Sequence, residues 1–570
     1  MPDITKKDEA VATSHLKHTR RDFLKYSSSL PLLSASASTL AGNALASSQA
    51  VSHRDSTGPS YQKAHSQLGG QGDPTLKEAF EPVALSVRDD LDVATGFDSY
   101  VIAKLGDKIN RQGDTFGDCC DYTAFIEGEQ PDQAFLWVNH EYVDTTVLYR
   151  KNLLPQHKAK AQVDAERRLV GGSFLELRRD GKTGHYTMNQ DSTLAFRIDA
   201  TTPIPLVGAA GGATAIGTMS NCSGGLTPWG TILTAEENVD NHYDKNLRDY
   251  SGWADHHKLP PEHYGYIVEI DPKKREFRKL TSLGRFAHEG AFIQVAKNKK
   301  VVAYMGDDAK FQCLYKFVSR GTLSGDPAKD RDLLVDGTLY VANLAKGVWE
   351  ELDPKHPKLQ ESDDKASFGT LRDIAIHTRA AANAVGGTPL NRPEGITVDP
   401  KSGLVIVALT NNSKAGDYHG SLLSLKEVDG DHSGTRFESQ TILTGGPKSG
   451  LSCPDNVVTG PGSFLWVGMD ISASAKGRGV YQAFPRNALH RIEADSVGNL
   501  YSRRFLLAPF GAEVTGPGFS SDDKTLFVSI QHPGEGSFVA FDKLTSRWPD
   551  NKGRPRSSVV GILAKSSSFS

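Results

Sequence analysis

Six short apolar runs along the chain each end abruptly in residues that can bind metal ions. The runs recur at intervals of roughly 60–100 residues. One acidic strand end would mean little, because acidic residues occur in many turns. Six of them indicate a repeat whose units direct oxygen ligands at one point. The runs are AFLWVNHEY (134–142), TILTAEEN (231–238), VVAYMGDD (301–308), LVIVALTNN (404–412), FLWVGMDIS (464–472) and TLFVSIQH (525–532).

A second polar cluster lies upstream of five of these runs. Glu289 precedes Asp308 by 19 residues and Glu394 precedes Asn412 by 18, with a turn-forming sequence between the two clusters. Strand, turn and strand predict a β-hairpin, in which the first residue of one strand lies beside the last residue of its partner. We therefore expect both clusters to emerge at the same end of each hairpin. The upstream clusters are NCSGG (221–225), AHEG (287–290), RPEG (392–395), CPDN (453–456) and AEVTG (512–516).

The repeat predicts an all-β fold, a six-bladed β-propeller with inserted loops and short helices and a metal site on the propeller axis. The 55 Gly and 28 Pro residues suit such a turn-rich protein. A β-sandwich would not bring six strand ends to one spot, whereas seven blades are an alternative because weak repeats are easily miscounted. Candidates for outer strands are 172–181, 265–272, 420–430, 479–486 and 536–543, and short helices are expected within 154–169 and 371–385.

The N-terminus carries a twin-arginine export signature that contains Arg20 and Arg21. A mildly apolar stretch and the small-x-small pattern Ala44-Leu45-Ala46 follow, which is the order of a cleavable signal peptide. The twin-arginine machinery is therefore an expected partner, and we expect a periplasmic or secreted protein. The predicted domains are a signal peptide at 1–46, a linker at 47–80 and the propeller at 81–570.

Composition limits the other partners. With 23% charged residues and a net charge of −3, the chain lacks the basic face that binds nucleic acid. No run of 18 or more apolar residues occurs, so stable membrane insertion is not expected. Five cysteines in a chain of this size do not indicate a disulfide framework. We expect a monomer that acts on small molecules.

The polar clusters contain too many carboxylates for one small volume unless cations neutralise them. Hard oxygen ligands suit Ca²⁺, Mg²⁺ or Mn²⁺, and a thiolate with a few imidazoles would add iron or zinc. Adjacent strand residues point to opposite faces, so at most one of Glu236 and Glu237 faces the site, and Glu236 is the expected ligand. The expected ligands are Glu141, Cys222, Glu236, Glu289, Asp307, Asp308, Glu394, Asp455, Asp470 and Glu513, and the same clusters contain His288 and His532.

Arg392 is separated from Glu394 by one Pro. An Arg side chain can bind phosphate through two parallel hydrogen bonds, and a structural ion pair with a neighbouring acid is the alternative role. Cations and an Arg at the mouth of a channel can bind a phosphate ester and stabilise its transition state. The residues favour metal-assisted phosphate-ester hydrolysis, with Arg392 as the substrate-binding and catalytic cation. A calcium-dependent propeller lactonase or esterase, and a non-catalytic calcium-stabilised periplasmic binding protein, are the alternatives.

Several long motifs resemble those of PhoX-type alkaline phosphatases, and the resemblance runs from about Phe80 to the C-terminal region. It implies a six-bladed propeller with an iron–calcium cofactor on its axis. The implied activity is hydrolysis of phosphomonoesters outside the cytoplasmic membrane, for phosphate scavenging. The motifs are WVNHE (137–141), NCSGGLTPWGTILTAEEN (221–238), GRFAHEG (284–290), YMGDD (304–308), RPEG (392–395), PDN (454–456) and TGPGFSSDDKTLFVSIQHPGE (515–535).

The same resemblance implies two Fe³⁺ ions and several Ca²⁺ ions. By motif, Cys222 resembles the thiolate iron ligand and Glu289 an iron-binding carboxylate, while Arg392 resembles a phosphate contact. The family also uses a lysine near the cysteine, but no Lys or Arg lies between Arg197 and Lys245 here. Further residues that resemble iron or calcium ligands are Glu141, Asp308, Glu394 and an acid of the fifth repeat.

Overall fold

The computed structural model describes residues 80–149, 153–243, 251–495, 498–537 and 543–570. The predicted signal peptide and all but the last residue of the predicted linker lie outside these residues. The proposed domain boundaries therefore stay predictions. Among the described helices, none is both long and apolar enough to cross a lipid bilayer.

Six sheets surround one axis, which confirms the predicted six-bladed β-propeller. Their strand pairs are antiparallel apart from Pro203–Val207, which pairs in parallel with Glu276–Leu280 in the second sheet. The innermost strand of each sheet packs against the innermost strand of the next, and the sixth packs against the first, so the ring is closed. We number the sheets as blades 1 to 6 in the order of their innermost strands. These strands are Cys120–Glu127, Asn221–Leu226, His288–Val295, Pro393–Val398, Pro454–Thr459 and Glu513–Phe519.

The six apolar runs form the second strand of each blade. Burial explains their composition, because each second strand lies between the first and third strands and is covered on both faces by neighbouring blades. All five residues of Leu465–Met469, for example, are buried. The second strands are Gln133–His140, Ile232–Glu236, Lys300–Asp307, Val405–Leu409, Leu465–Met469 and Thr525–Gln531.

The outer strands complete the blades. Three of the five expected outer strands form third strands as predicted, in blades 1, 2 and 4. The segment 479–486 is a short 3-10 turn instead, and 538–542 within the fifth candidate are not described. The third strands of blades 1 to 6 are Gly171–Arg179, Ile267–Asp271, Leu314–Thr322, Ser421–Glu427, Ala488–Ala494 and Ser558–Ala564. Further strands are Tyr186–Met188, Phe196–Ile198, Glu276–Leu280, Pro203–Val207, Thr214–Ile216, Gly337–Asn343, Val348–Glu351, Phe437–Thr444 and Leu500–Leu507.

The two ends of the described chain meet in the last blades. Phe97–Lys104 pairs antiparallel with Ser558–Ala564 and supplies the outermost strand of blade 6. Asp92–Val93 pairs with Leu500–Leu507 at the edge of blade 5. Strands from both ends of the described chain therefore share the sheet of blade 6, which ties the ring shut through backbone hydrogen bonds.

Short helices lie in the connections between strands, as expected for 154–169 and 371–385. They are Thr145–Tyr149, Lys160–Glu166, Pro327–Asp330, Pro357–Gln360, Leu371–Ile376 and Thr378–Val385. The last four belong to the long connection between the third strand of blade 3 and blade 4. A two-stranded ladder of Lys310–Gln312 with Leu390–Asn391 joins the end of that connection to the segment between the second and third strands of blade 3.

Close approach of neighbouring inner strands near the axis requires glycine. A Cβ on Gly395 would lie 2.4 Å from the carbonyl oxygen of Asp455 in the next blade. A Cβ on Gly516 would lie 2.6 Å from the carbonyl oxygen of Asp121 in blade 1. These distances are below any van der Waals contact, so larger residues would push the inner strands away from the axis.

Candidate metal centre

Each blade uses the same local geometry to aim side chains at the axis. The first residues of the inner strand pair with the last residues of the second strand, for example Asn221 with Glu236 and His288 with Asp307. In all six blades the register then shifts, which marks a β-bulge or similar irregularity in the inner strand. Bulges re-aim side chains, and here the shift accompanies side chains that turn from the sheet faces to the axis.

A second shared feature is a backbone hydrogen bond that anchors the residue after the second strand. The amide of Asp308 donates to the Ala287 carbonyl at 2.9 Å, and that of Asp470 to the Cys453 carbonyl at 2.9 Å. Equivalent bonds occur in blades 1, 2 and 4. The accepting residue has positive φ in four of the five blades, so the chain is already bent where the inner strand begins. These residues are Cys119, Ser220, Arg392 and Cys453.

Two rings of side chains result. The first ring comes from the start of the inner strands and contains Asp121, Cys222, Glu289, Glu394, Asp455 and Glu513. The second ring comes from the residues that follow the second strands and contains Glu141, Glu237, Asp308, Asp470 and His532. All of these residues line one cavity of about 200 Å³.

The structure brings eight of the ten expected ligands to this cavity. Their role as metal ligands stays a prediction. The eight are Glu141, Cys222, Glu289, Asp308, Glu394, Asp455, Asp470 and Glu513. The fourth blade differs from its sequence-based expectation, because Asn411 and Asn412 do not line the cavity; Asn411 donates to the Cys453 Sγ at 3.2 Å.

Glu236 does not line the cavity, and its neighbour Glu237 does, which corrects the expectation. Glu236 is the last ladder residue and points into the blade. Its Oε1 lies 2.6 Å from Lys279 Nζ, and both side chains are fully buried. Its Oε2 accepts hydrogen bonds from the amides of Gly265 and Tyr266. Glu236 therefore already has a complete set of protein partners.

The expectation that Asp307 is a metal ligand is corrected as well, because Asp307 is also the last ladder residue of its strand. It pairs with His288 in the ladder, so the two side chains lie on the same face of the sheet. Arg379 binds both of its carboxylate oxygens, and Asp307 does not line the cavity. His288 also lies outside the cavity, where its Nε2 donates to the Gly284 carbonyl at 2.9 Å and its ring stacks on Phe286.

Asp121 is the cavity residue that sequence reasoning missed. It occupies the same position in blade 1 as Cys222 in blade 2, one residue after the start of the inner strand. A signal was present, because Asp121 precedes Glu141 by 20 residues, close to the 19 residues between Glu289 and Asp308. Other lining residues outside the expected set are Tyr142, Asn238, Asn456, Ser472, Gln531 and Glu535.

The cavity is strongly acidic. Ten carboxyl groups and one thiol line it, with one guanidinium. Burial, together with Asp470, Asp455 and Asp308, raises the pKa of Glu141 to about 8, although a hydrogen bond from Gln531 opposes this. Burial and neighbouring carboxylates also hold the pKa of Glu289 well above its usual value. Without added positive charge, these groups could not all ionise at neutral pH.

Cys222 lies among these carboxyl groups. Its Sγ is 2.8 Å from Glu289 Oε2, and ligand atoms of Cys222, Glu237 and Glu289 all lie within 4.8 Å of one another. Burial raises the pKa of the thiol, and the adjacent carboxylates raise it further. A metal ion would reverse this effect, because coordination favours the thiolate.

Arg392 occupies the gap in the second ring, where the fourth blade supplies Thr410 instead of an acid. Its Nε and Nη2 donate to the two oxygens of Asp308 at 2.7 and 2.8 Å. Its Nη1 lies 3.4 Å from Asp470, and Nη2 lies 2.5 Å from Glu394. Burial would raise the pKa of Asp308, but the guanidinium of Arg392 lowers it below the usual value.

A lysine also lies near the acidic cavity, although not next to the cysteine. Lys476 follows the second strand of blade 5 and donates to the carbonyls of Gly511 and Ala512 at 2.9 and 3.0 Å. Burial lowers its pKa, and Glu535, Glu513 and Asp470 oppose that shift. The positive charge that the sequence lacks near Cys222 is thus present on the opposite side of the ring.

The donor set fits a cluster of several metal ions. Asp121 Oδ1 is buried and has no hydrogen-bond partner, although Oδ2 accepts from Gln531 at 2.8 Å. Carboxylate oxygens in this number suit Ca²⁺, and the combination with one thiol suits a transition metal such as iron. One Arg and one Lys cannot balance ten carboxylates.

The fold and the site define a class: a β-propeller with a metal centre built by all of its blades on the axis. Within that class, the chain belongs to the alkaline phosphatase PhoX family, whose family model matches residues 78–534. It is therefore a metal-dependent phosphoric monoester hydrolase. This confirms the sequence-based interpretation.

The structure of Pseudomonas fluorescens PhoX in complex with vanadate, a transition-state analogue, matches with a TM-score of 0.77 and 29% identity, over 85% of this chain and 98% of that one. A protein of unknown function from Dyadobacter fermentans matches with a TM-score of 0.35 and 12% identity, over 83% of this chain and 100% of that one. No curated protein sequence matches the chain significantly.

The adjacent acids Glu236 and Glu237 give a matched pair of variants. Glu237→Gln should lower the bound metal and the activity with little change in the fold, because it removes a charge from the cavity. Glu236→Gln should lower the free energy of unfolding by about 3–5 kcal/mol, because it leaves Lys279 buried without its partner, while metal per folded protein stays constant. Thermal unfolding and metal analysis of both variants measure this contrast. Equal loss of metal from the two variants would contradict the prediction.

Proposed function

We propose that this protein hydrolyses phosphomonoesters at an iron–calcium centre in the axial cavity. Cys222, Glu237 and Glu289 are the proposed ligands of iron, because they supply the cavity's one thiolate together with two nearby carboxylates. The remaining ring carboxylates would hold calcium, which prefers oxygen ligands and tolerates irregular geometry. When bound, these ions supply positive charge that stabilises the transferring phosphoryl group.

Arg392 is the proposed phosphate-binding side chain. Its guanidinium already binds a carboxylate in the two-pronged geometry that also suits phosphate. With metal ions bound to the acids, this Arg would be released from part of its ion pairing and would face the substrate. The Pseudomonas fluorescens protein binds vanadate, a transition-state analogue, and we infer that the corresponding cavity here accepts the phosphoryl group.

The observation that carries the proposal is the convergence of ten carboxyl groups, one thiol and one guanidinium from six blades on one cavity. The test combines metal analysis with kinetics on a chromogenic phosphomonoester, using protein purified after native export. Iron and calcium in fixed ratio to protein, visible absorbance from iron–thiolate charge transfer, and phosphate release are expected. A colourless, calcium-only protein that releases no phosphate would overturn the proposal.

Calcium should be required together with iron, because the carboxylates outnumber the charge that two iron ions can neutralise. Chelation with a calcium-selective chelator should abolish activity, and added calcium should restore it. Visible absorbance should persist through this cycle if iron stays bound. Full activity in protein shown to contain no calcium would contradict this prediction.

We propose that the protein works in the periplasm or outside the cell after twin-arginine export. Arg20 and Arg21 support this through their position ahead of a signal-peptide pattern, although they lie outside the described residues. Changing both to Lys keeps the charge and should abolish export, so activity should remain in the cytoplasmic fraction. Undiminished periplasmic activity of this variant would refute the proposed localisation.

A further inference from the structure

A second cavity, of about 330 Å³, lies beside the axial one. The two share Glu237, Asn238 and Asp308 in their walls. The two cavities are therefore adjacent. The second cavity is also lined by Tyr243, Arg285, His377 and Arg379.

The wall of this cavity is a built part of the fold. His377 and Arg379 come from the junction and start of the helices Leu371–Ile376 and Thr378–Val385, in the insertion that precedes blade 4. The amide of Arg285 donates to Thr378 Oγ1 at 3.0 Å, which fixes the second helix to the loop before the inner strand of blade 3. The first helix begins with a reciprocal capping box between Thr370 and Asp373.

The two arginines of this cavity differ in whether a carboxylate neutralises their positive charge. Arg379 is bound by both oxygens of Asp307, and Asp240 also raises its pKa. Arg285 has no carboxylate within ion-pair distance among the residues that the structure describes. Its Nε donates to the carbonyls of Tyr264 and Pro261 at 2.8 and 3.1 Å.

Arg285 is nevertheless held rigidly. Its Nη2 donates to the Tyr243 hydroxyl at 2.5 Å, and the guanidinium carbon lies 5.9 Å from the centre of that ring. No hydrogen-bond partner of Nη1 occurs in the described part of the chain. A fixed guanidinium with a free edge, in a concave site next to a phosphate site, is a good receptor for a second anionic group.

We propose that the second cavity is a subsite for the alcohol part of the substrate, and that Arg285 favours phosphomonoesters whose alcohol carries a carboxylate or a second phosphate. This inference rests on the proposed phosphatase function. Phosphorylated hydroxy acids and sugar bisphosphates are the substrate class that it names. Arg285 would be a specificity-determining residue, and the metal centre would act equally on all esters.

Glycerol 3-phosphate and 3-phosphoglycerate form a matched substrate pair, because they differ only in a hydroxymethyl group against a carboxylate. The wild type should show a higher kcat/KM for 3-phosphoglycerate. Arg285→Gln should lower that value about 10-fold, mainly through KM, and should change the value for glycerol 3-phosphate less than about 2-fold. Arg285→Lys should retain part of the preference.

Arg275→Gln is the matched control. The guanidinium of Arg275 is also held by two backbone carbonyls, those of Thr193 and Leu194, and lies over the ring of Phe196, but it does not line either cavity. This variant should leave both kcat/KM values unchanged.

The outcomes separate the two proposals. Hydrolysis of glycerol 3-phosphate by Arg285→Gln at the wild-type rate shows that the variant is folded and has its metals. If the wild type hydrolyses both esters without preference, or if Arg285→Gln lowers both values equally, the subsite proposal is wrong while the phosphatase function stands. A wild type that hydrolyses neither ester would overturn the proposed function itself.

Discussion

Replacing Cys222 with Ser should remove iron, visible absorbance and activity together. The thiolate is the one soft, charged sulfur ligand in the cavity, and a serine hydroxyl is much harder to ionise. Glu237 and Glu289 would then lie close together without the ion that balances them. We expect kcat to fall at least about 100-fold, which corresponds to about 2.7 kcal/mol of transition-state stabilisation. Metal analysis and the visible spectrum give readouts that do not depend on activity.

Cys313→Ser is the control for this variant. Cys313 is 1% exposed and packs in the hydrophobic core between blades 2 and 3, outside the cavity. Its replacement should lower the thermal midpoint and leave the iron content of the folded protein unchanged. If Cys222→Ser keeps full iron content and absorbance, Cys222 is a core residue and the iron assignment is wrong.

Arg392→Lys should lower kcat/KM by about 10–100-fold, or about 1.4–2.7 kcal/mol. Lys keeps the positive charge, but it cannot offer two parallel N–H groups to one phosphate. Inorganic phosphate should inhibit the wild type competitively and the variant more weakly. The thermal midpoint and metal content should barely change, because the carboxylates that Arg392 contacts would be neutralised by metal ions in the loaded enzyme.

Arg491→Lys is the control for a purely structural arginine. Arg491 is buried and binds Glu493 through Nε and Nη2 at 3.0 and 2.7 Å, in the third strand of blade 5. This variant should lower the thermal midpoint without changing kcat/KM. If Arg392→Lys behaves like Arg491→Lys, or loses its metals, then Arg392 is an ion-pair partner of the acidic rings and not a phosphate ligand.

The number of blades and the end of the propeller that carries the site could be predicted from sequence. Both depend on local patterns. An apolar run becomes a buried second strand, and the turn between the two strands places the start of the inner strand beside the end of the second strand. Glu289 and Asp308 illustrate this, because their 19-residue spacing is that of one hairpin. The same rule, applied to blade 1, would also have found Asp121.

Which of two adjacent acids faces the axis was decided by tertiary structure. Glu236 and Asp307 are the last ladder residues and form ion pairs with Lys279 and Arg379 outside the cavity, whereas the residues after them line the cavity. The alternation of side chains along a strand predicts that two adjacent acids point to opposite faces, but it does not predict which of the two points to the cavity. That choice depends on the register shift in the inner strand and on distant cations that compete for one of the two acids.

Contacts between segments far apart in the chain were also hidden in the sequence. No motif marks Lys476, and although Arg285 lies in the motif GRFAHEG (284–290), that motif does not show that its side chain lines a second cavity. The sequence by itself therefore determined the repeated hairpins and the acidic character of the site, since both arise from residues within one blade. Only the tertiary structure decided the places of Lys476 and Arg285 and the second cavity, because these depend on contacts between segments far apart in the chain.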